Sequence, residues 1–215
     1  MKKVIIFGSS KGIGKSIKEK LSLLDLKLVL PTSKEVNTSN IDSMIKFARS
    51  EKSTDILILN TGGPPAMNFF EIKRDLWIKF FNQLFLGFVV LLQNLKIKKN
   101  GYVFLISSHT IQAPENNLTI SNSMRIAFLS IFKTLSNLYA KDRICFINIA
   151  PGPFKTKRLE YLVKDLKKFE SQMPMNMIGK PEEIGDFVKS VIKNNIKYIS
   201  GVTIRFDGGL SKNIF

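Results

Sequence analysis

Three glycines at positions 8, 12 and 14, set between an apolar run and a helical segment, constrain this chain more than any other feature. Residues 3–7 have strand length and are apolar after the first lysine, and from 13 to 23 the apolar positions recur with a helical period. A turn that tight favours residues without side chains. Gly8 makes the bend, Gly12 lets a bound group approach the main chain, and Gly14 lets helix and strand touch. Backbone amides and the positive end of a helix dipole meet there, which makes the turn a cradle for phosphate.

The rest of the chain repeats the strand-then-helix pattern. Strand-like runs fall at 3–7, 27–30, 55–59, 102–106, 144–149 and 203–206. Helical segments fall at 13–23, 41–50, 75–95, 121–140 and 182–193, with a weaker one at 158–169. This alternation predicts an α/β fold, a Rossmann-type doubly wound parallel sheet of about six strands. No repeat, linker or low-complexity tract interrupts the 215 residues, so one domain is expected.

Composition narrows the function classes. The single cysteine, Cys145, allows no internal disulfide and offers no metal site, and a reducing cytoplasmic setting is expected. The start of the chain is basic and then apolar, but only for four residues before Gly8, so it reads as a strand. The most apolar stretch, 84–92, falls well short of the roughly 20 residues that span a bilayer, and no membrane span is expected. The formal charge of +16 comes from 33 basic and 17 acidic residues. Only six of the basic residues are arginine, at 49, 74, 125, 143, 158 and 205, and the lysines are scattered rather than clustered. That distribution predicts solvated faces and no nucleic-acid partner.

Gly14-Lys15-Ser16 looks like the end of a nucleoside-triphosphate loop, but the first glycine of that loop would have to be residue 9, which is Ser9. The spacing favours a dinucleotide instead. The loop Gly8-Ser9-Ser10-Lys11-Gly12-Ile13-Gly14, the NTGG at 60–63, the NIAPGPFKT at 148–156, the GKPEEIG at 179–185 and the ISGVTIRFDGG at 199–209 together resemble the short-chain dehydrogenase/reductase family. The motifs come in the family's order over nearly the whole chain, and they look most like those of β-ketoacyl-acyl-carrier-protein reductases.

That resemblance implies that Gly8, Ser10, Lys11, Gly12, Ile13 and Gly14 hold a dinucleotide diphosphate and its surroundings, while Asn60 and Gly62 line the adenosine side. Pro151 and Gly152 would pass beneath the nicotinamide, and Thr156 would hold its carboxamide. Asn37 stands where the family usually has an aspartate touching adenine. Only residues 31–36 fill the place of the family's next helix and strand, which shortens the chain and one sheet edge. No acidic residue directly follows the second strand to bind a ribose hydroxyl, and Lys11 is placed to meet a 2′-phosphate, with Ser33 and Lys34 nearby. NADP is therefore expected over NAD.

The proton-transfer positions depart from the family's Asn-Ser-Tyr-Lys set. Ser108 matches the serine. Thirteen residues on, the tyrosine position is Ser121, and the lysine position is Arg125. Trp77 and Gly87 put Leu84 at the asparagine position, and no tyrosine lies between Tyr102 and Tyr139. A serine hydroxyl is a far weaker acid than a phenol of pKa about 10. Arg125 stays charged and suits an anion or a polarised carbonyl. His109 is the one nearby side chain whose ordinary range lies near neutrality.

The expected active set is thus Ser108 and Ser121 orienting a carbonyl, Arg125 stabilising an oxyanion or a substrate carboxylate, and His109 or water supplying the proton. Two other readings stay open: a cofactor-binding sensor or partner subunit without turnover, and an epimerase or dehydratase using bound cofactor. Residues 154–177, carrying Tyr161, Met173, Met175 and Met177, are expected to cover a small or acyl-carrier-linked carbonyl substrate. The resemblance also implies a homodimer or homotetramer built on the segments 75–95 and 121–140.

Overall fold

A computed structural model of the chain describes residues 1–214. Its strands are β1 (Lys2–Ile6), β2 (Leu26–Val29), β3 (Ser53–Leu59), β4 (Lys96–Ile106), β5 (Cys145–Pro151) and β6 (Val202–Phe206). They lie parallel in one sheet of order β2-β1-β3-β4-β5-β6. This is the expected Rossmann-type doubly wound architecture with six strands.

Alternation of side chains along each strand sends them into two cores. Ile5, Phe7, Leu57, Leu59, Val103 and Phe146 point to one side, where α2 (Ile41–Glu51), α4 (Gly87–Asn94) and α5 (Thr119–Leu138) bring Met44, Phe88 and Phe128. Phenylalanine rings interlock through that layer: Phe88–Phe128 at 5.5 Å, Phe128–Phe132 at 6.2 Å and Phe132–Phe146 at 5.0 Å between centroids. Val4, Ile6, Ile56, Ile58, Phe104 and Ile147 point the other way, onto Ile17 and Leu21 of α1 (Gly12–Leu21) and Ile184 and Val188 of α8 (Pro181–Lys193). Burial on both faces is why these strands read as unbroken apolar runs.

β2 is an edge strand, paired only with β1, and the chain returns directly from it to α2. The short connection closes on itself, with the Glu35 carboxylate accepting from the Thr32 amide at 2.9 Å and the Thr32 hydroxyl at 2.8 Å. This is the trimmed sheet edge that the shortened sequence implied.

Three elements differ from expectation. The long helix over 75–95 is α3 (Arg74–Phe81), a widened π turn (Asn82–Leu86) and α4. The widened turn sits directly before Gly87, whose missing side chain lets the helix press on the Thr38 carbonyl; a Cβ there would lie 2.4 Å from that oxygen. The helix over 158–169 is broken into α6 (Lys157–Leu162) and α7 (Leu166–Ser171), because Asp165 takes an extended conformation and caps the second piece through the Lys168 amide. β4 starts at Lys96 rather than residue 102, and its early residues pair with Ser53 and Thr54 before an irregularity in register.

Arg74–Asn94 is the one helical run among the described residues long and apolar enough, by length and composition, to cross a membrane. Within the fold Leu84, Phe88, Leu91 and Leu92 of that run are buried, while Ile78 and Phe81 remain exposed.

Candidate active site

The chain leaves β1 and β3 in opposite directions, so a crevice opens beyond their C-terminal ends. Gly8 and Gly12 line it in the left-handed backbone region, at φ +64° and +51°. Gly14 packs directly on the turn: a Cβ there would stand 2.1 Å from the Gly8 oxygen and 2.5 Å from Asn60 Nδ2. Asn60, just after β3, donates from Nδ2 to that same Gly8 oxygen at 3.1 Å. The asparagine therefore fixes the loop's shape across the crevice. Lys11 and Ser10 are exposed, and Lys11 stands at the N-terminus of α1. A chain that keeps bare backbone at three closely packed points beside a helix N-terminus fits the diphosphate of a dinucleotide.

The other expected cofactor positions lie on the connections that follow β2, β3 and β5. Gly62 is open, with nothing within 4 Å of a Cβ built on it. The Thr156 methyl carbon would meet a Cβ on Gly12 at 3.2 Å, which places the start of α6 against the glycine loop. Thr156 also caps α6 through the Leu159 amide. Pro151 ends β5, and Gly152 donates its amide to Phe206 O at 2.8 Å. Ser33 and Asn37 are exposed on the connection beyond β2, and Asn37 Oδ1 accepts from the Ser39 amide and hydroxyl at 3.0 and 2.8 Å.

At the end of β4 the proton-transfer positions come together in part. Arg125 donates from Nε to Ser121 Oγ at 3.1 Å and from Nη1 to Ile106 O at 3.0 Å, joining α5 to the strand two residues before Ser108. Burial, and then the nearby Arg158, push the Arg125 guanidinium down to about 10, which still leaves it charged at neutral pH. Ser108 Oγ accepts from the amide and the hydroxyl of Thr110 and so caps a short 3-10 turn. His109 Nδ1 lies 3.2 Å from Pro151 O and its Nε2 3.1 Å from Glu115 Oε1. Since a carbonyl oxygen only accepts, Nδ1 is the donor there; the Glu115 carboxylate also only accepts, so Nε2 bonds it only when both ring nitrogens carry protons.

Two residues absent from the sequence-based set also reach this place. Arg158, on α6, donates from Nη2 to the Pro64 carbonyl. Gln83, in the π turn, donates from Nε2 to Gly62 O at 2.8 Å and to Thr61 Oγ1 at 3.1 Å. Leu84, the residue at the asparagine position, is buried with Phe80 and Ile120 and presents no polar group. A cavity of about 770 Å³ lies beside the site rather than in it, lined by Phe69, Thr110, Asn116, Asn122 and Ile126 among others. None of the glycine-loop residues, Ser108, Ser121 or Arg125 lines it, so the crevice and not this cavity is the candidate site.

A family model described as enoyl-(acyl carrier protein) reductase matches residues 10–211. The chain belongs to the short-chain dehydrogenase/reductase family. It is 25% identical over 234 residues to the 3-oxoacyl-[acyl-carrier-protein] reductase FabG of Buchnera aphidicola subsp. Baizongia pistaciae, covering 96% of each chain. It is 24% identical over 257 residues to an uncharacterized oxidoreductase of Bacillus subtilis, YvaG, covering 100% of this chain and 97% of that one. Among solved structures, L-sorbose reductase from Gluconobacter frateurii, complexed with NADPH and L-sorbose, superposes with a TM-score of 0.87 at 23% identity, covering 99% of this chain and 97% of that one. As a short-chain dehydrogenase/reductase, the protein is an NAD(P)-dependent oxidoreductase.

The tightest contact in this family member's glycine loop yields a direct test. Gly14→Ala puts a methyl group against the Gly8 oxygen, and relief requires α1 to move away from β1. Overpacking of this kind costs about 1–3 kcal/mol. NADPH affinity measured by fluorescence titration is expected to fall about tenfold or more in a folded variant; unchanged affinity would show that the loop does not shape the dinucleotide site.

Proposed function

We propose that the protein reduces the carbonyl group of a small molecule with NADPH, holding the carbonyl oxygen with Ser108, Ser121 and Arg125. The observation that carries this reading is the Arg125 guanidinium bonded to Ser121 Oγ at the end of β4, facing Gly63 of the loop after β3. When bound, NADPH supplies a hydride to the carbonyl carbon and is oxidised to NADP+. The carbonyl oxygen takes a proton, giving the alcohol. Ser121 accepts from Arg125 Nε, so its own hydroxyl proton is directed to another acceptor, such as the carbonyl oxygen. Arg125 supplies positive charge where negative charge develops. His109 is engaged on both sides, by Pro151 and Glu115, which favours water as the immediate proton source and makes His109 a positioning residue.

The cofactor preference follows from three groups. Lys11 and Ser33 are exposed where a 2′-phosphate would be met, and the Glu35 carboxylate is held by Thr32 instead of facing a ribose. Pro151, Gly152 and Thr156 would serve the nicotinamide end, a feature that a scaffold binding only the adenosine half has no need of. The resemblance to FabG over almost the full chain supports a second substrate reading, a 3-oxoacyl thioester. Exposed Ile78 and Phe81 on α3 and Ile126 on α5 favour a homodimer or homotetramer through these helices. Light scattering is expected to give a dimer or tetramer mass, and a strict monomer would contradict that assembly.

On an identified carbonyl substrate, Ser121→Ala and Arg125→Met are each expected to lower kcat about 100-fold, the scale of removing one oxyanion donor. His109→Gln is expected to keep kcat within about threefold and to leave its pH profile in place. Full turnover in the first two variants would remove them from the active set. A loss of about 100-fold in the third, with the limb of the pH profile gone, would make His109 the proton donor.

A further inference from the structure

The site holds more positive charge than one carbonyl oxygen uses. Arg125 and Arg158 come from different elements, α5 and α6, yet they converge: a Cβ on Gly63 would find Arg158 Nη2 at 3.6 Å and Arg125 Nη2 at 3.7 Å. Both side chains are only partly exposed. Like charges brought together in such a setting repel unless something of opposite sign lies between them. None of the seven ion pairs among the described residues includes either arginine. Their acceptors are uncharged, namely Ser121 Oγ and Ile106 O for Arg125 and Pro64 O for Arg158. Arg125 Nη2 and Arg158 Nε and Nη1 have no acceptor among the described residues.

Sequence and packing add to this. The chain meets nearly all its need for positive charge with lysine, and six of 33 basic residues are arginine. Two of those six stand here, where a planar fork differs from a point charge by matching two oxygens at once. Gly63 faces both forks, and a side chain there would come into contact with each of them. Arg158 also lies on α6, within the segment 154–177 expected to cover the substrate. The base of that segment is pinned by Lys155 N to Gly179 O at 2.8 Å and Gly179 N to Pro153 O at 3.1 Å, and Arg158 ties it to the loop after β3. Burial lowers the pKa of both arginines, the Arg158 charge lowers that of Arg125 further, and Tyr161 partly offsets the fall at Arg158.

We propose that Arg125 and Arg158 together bind an anionic group of the substrate, a carboxylate or a phosphate, so that the protein acts on carbonyl compounds bearing such a group. This rests on the reductase reading of the same crevice. A carboxylate between the two forks would favour a small charged carbonyl compound over a 3-oxoacyl thioester.

The test is calorimetric titration at low salt of the whole protein, with and without NADP+, using oxamate, inorganic phosphate and the uncharged oxamide. Oxamate and phosphate distinguish a carboxylate from a phosphate substrate, and preferred binding of either supports the proposal. At least one is expected to bind about tenfold or more tightly than oxamide. Arg158→Met and Arg125→Met should each remove that advantage, and Arg158→Lys, which keeps the charge without the fork, should restore part of it. Arg158→Met should leave NADP+ affinity within about twofold. Anions that bind no better than oxamide, or that bind equally to both methionine variants, would overturn the proposal. So would a loss of NADP+ affinity in Arg158→Met, which would assign that arginine to the cofactor. If NADP+ itself fails to bind, the reductase reading falls, and titration of the protein alone still decides the anion site.

Discussion

The hydrogen bond from Asn60 Nδ2 to the Gly8 oxygen is the contact around which the site is built. It joins the ends of β1 and β3 at the point where the chain departs from the two strands in opposite directions. Gly14 is pressed against both partners, so α1 can start only where this junction puts it. The N-terminus of α1, the amides of the glycine loop and the Thr156 start of α6 are all placed relative to that one bond. A side chain at position 8 or 14 would meet an atom the junction already uses, and one at position 12 would meet the Thr156 methyl.

Much of the fold was legible because a parallel sheet covered on both faces needs apolar residues at consecutive positions, and helices packed on it need a periodic apolar side. Runs such as VII in β1 and ILIL in β3 carry that signal without help from distant residues. The misread elements depended on contacts that a local pattern does not contain. The π turn at Asn82–Leu86 answers the approach of Gly87 to Thr38, which lies far earlier in the chain. The early part of β4 is polar at Lys96, Lys98 and Lys99 and is a strand because its backbone pairs with Ser53 and Thr54.

The site divides in the same way. Gly8, Gly12 and Gly14 sit within one turn, so their purpose shows in their spacing. Asn60 was named as a lining residue, while its amide in fact holds the loop. Arg158 and Gln83 were passed over because each reaches the loop after β3 from a different helix. One signal for Arg158 was present: an arginine in a chain that otherwise prefers lysine marks a place where the geometry of the cation matters. At the proton-transfer positions, Ser121 and Arg125 form a bonded pair in which one hydroxyl is oriented by one fixed charge. In the reduction proposed above, that pair binds and polarises the carbonyl and leaves the proton to come from elsewhere.

The central claim is that the junction of Gly8, Gly14 and Asn60 builds a site for a phosphorylated nicotinamide dinucleotide. The most direct measurement is a paired equilibrium titration of the protein with NADPH and NADH under identical salt. The account predicts saturable binding of both at one site, with NADPH about tenfold tighter through its 2′-phosphate. Absence of binding by either dinucleotide, or a clear preference for NADH, would contradict it.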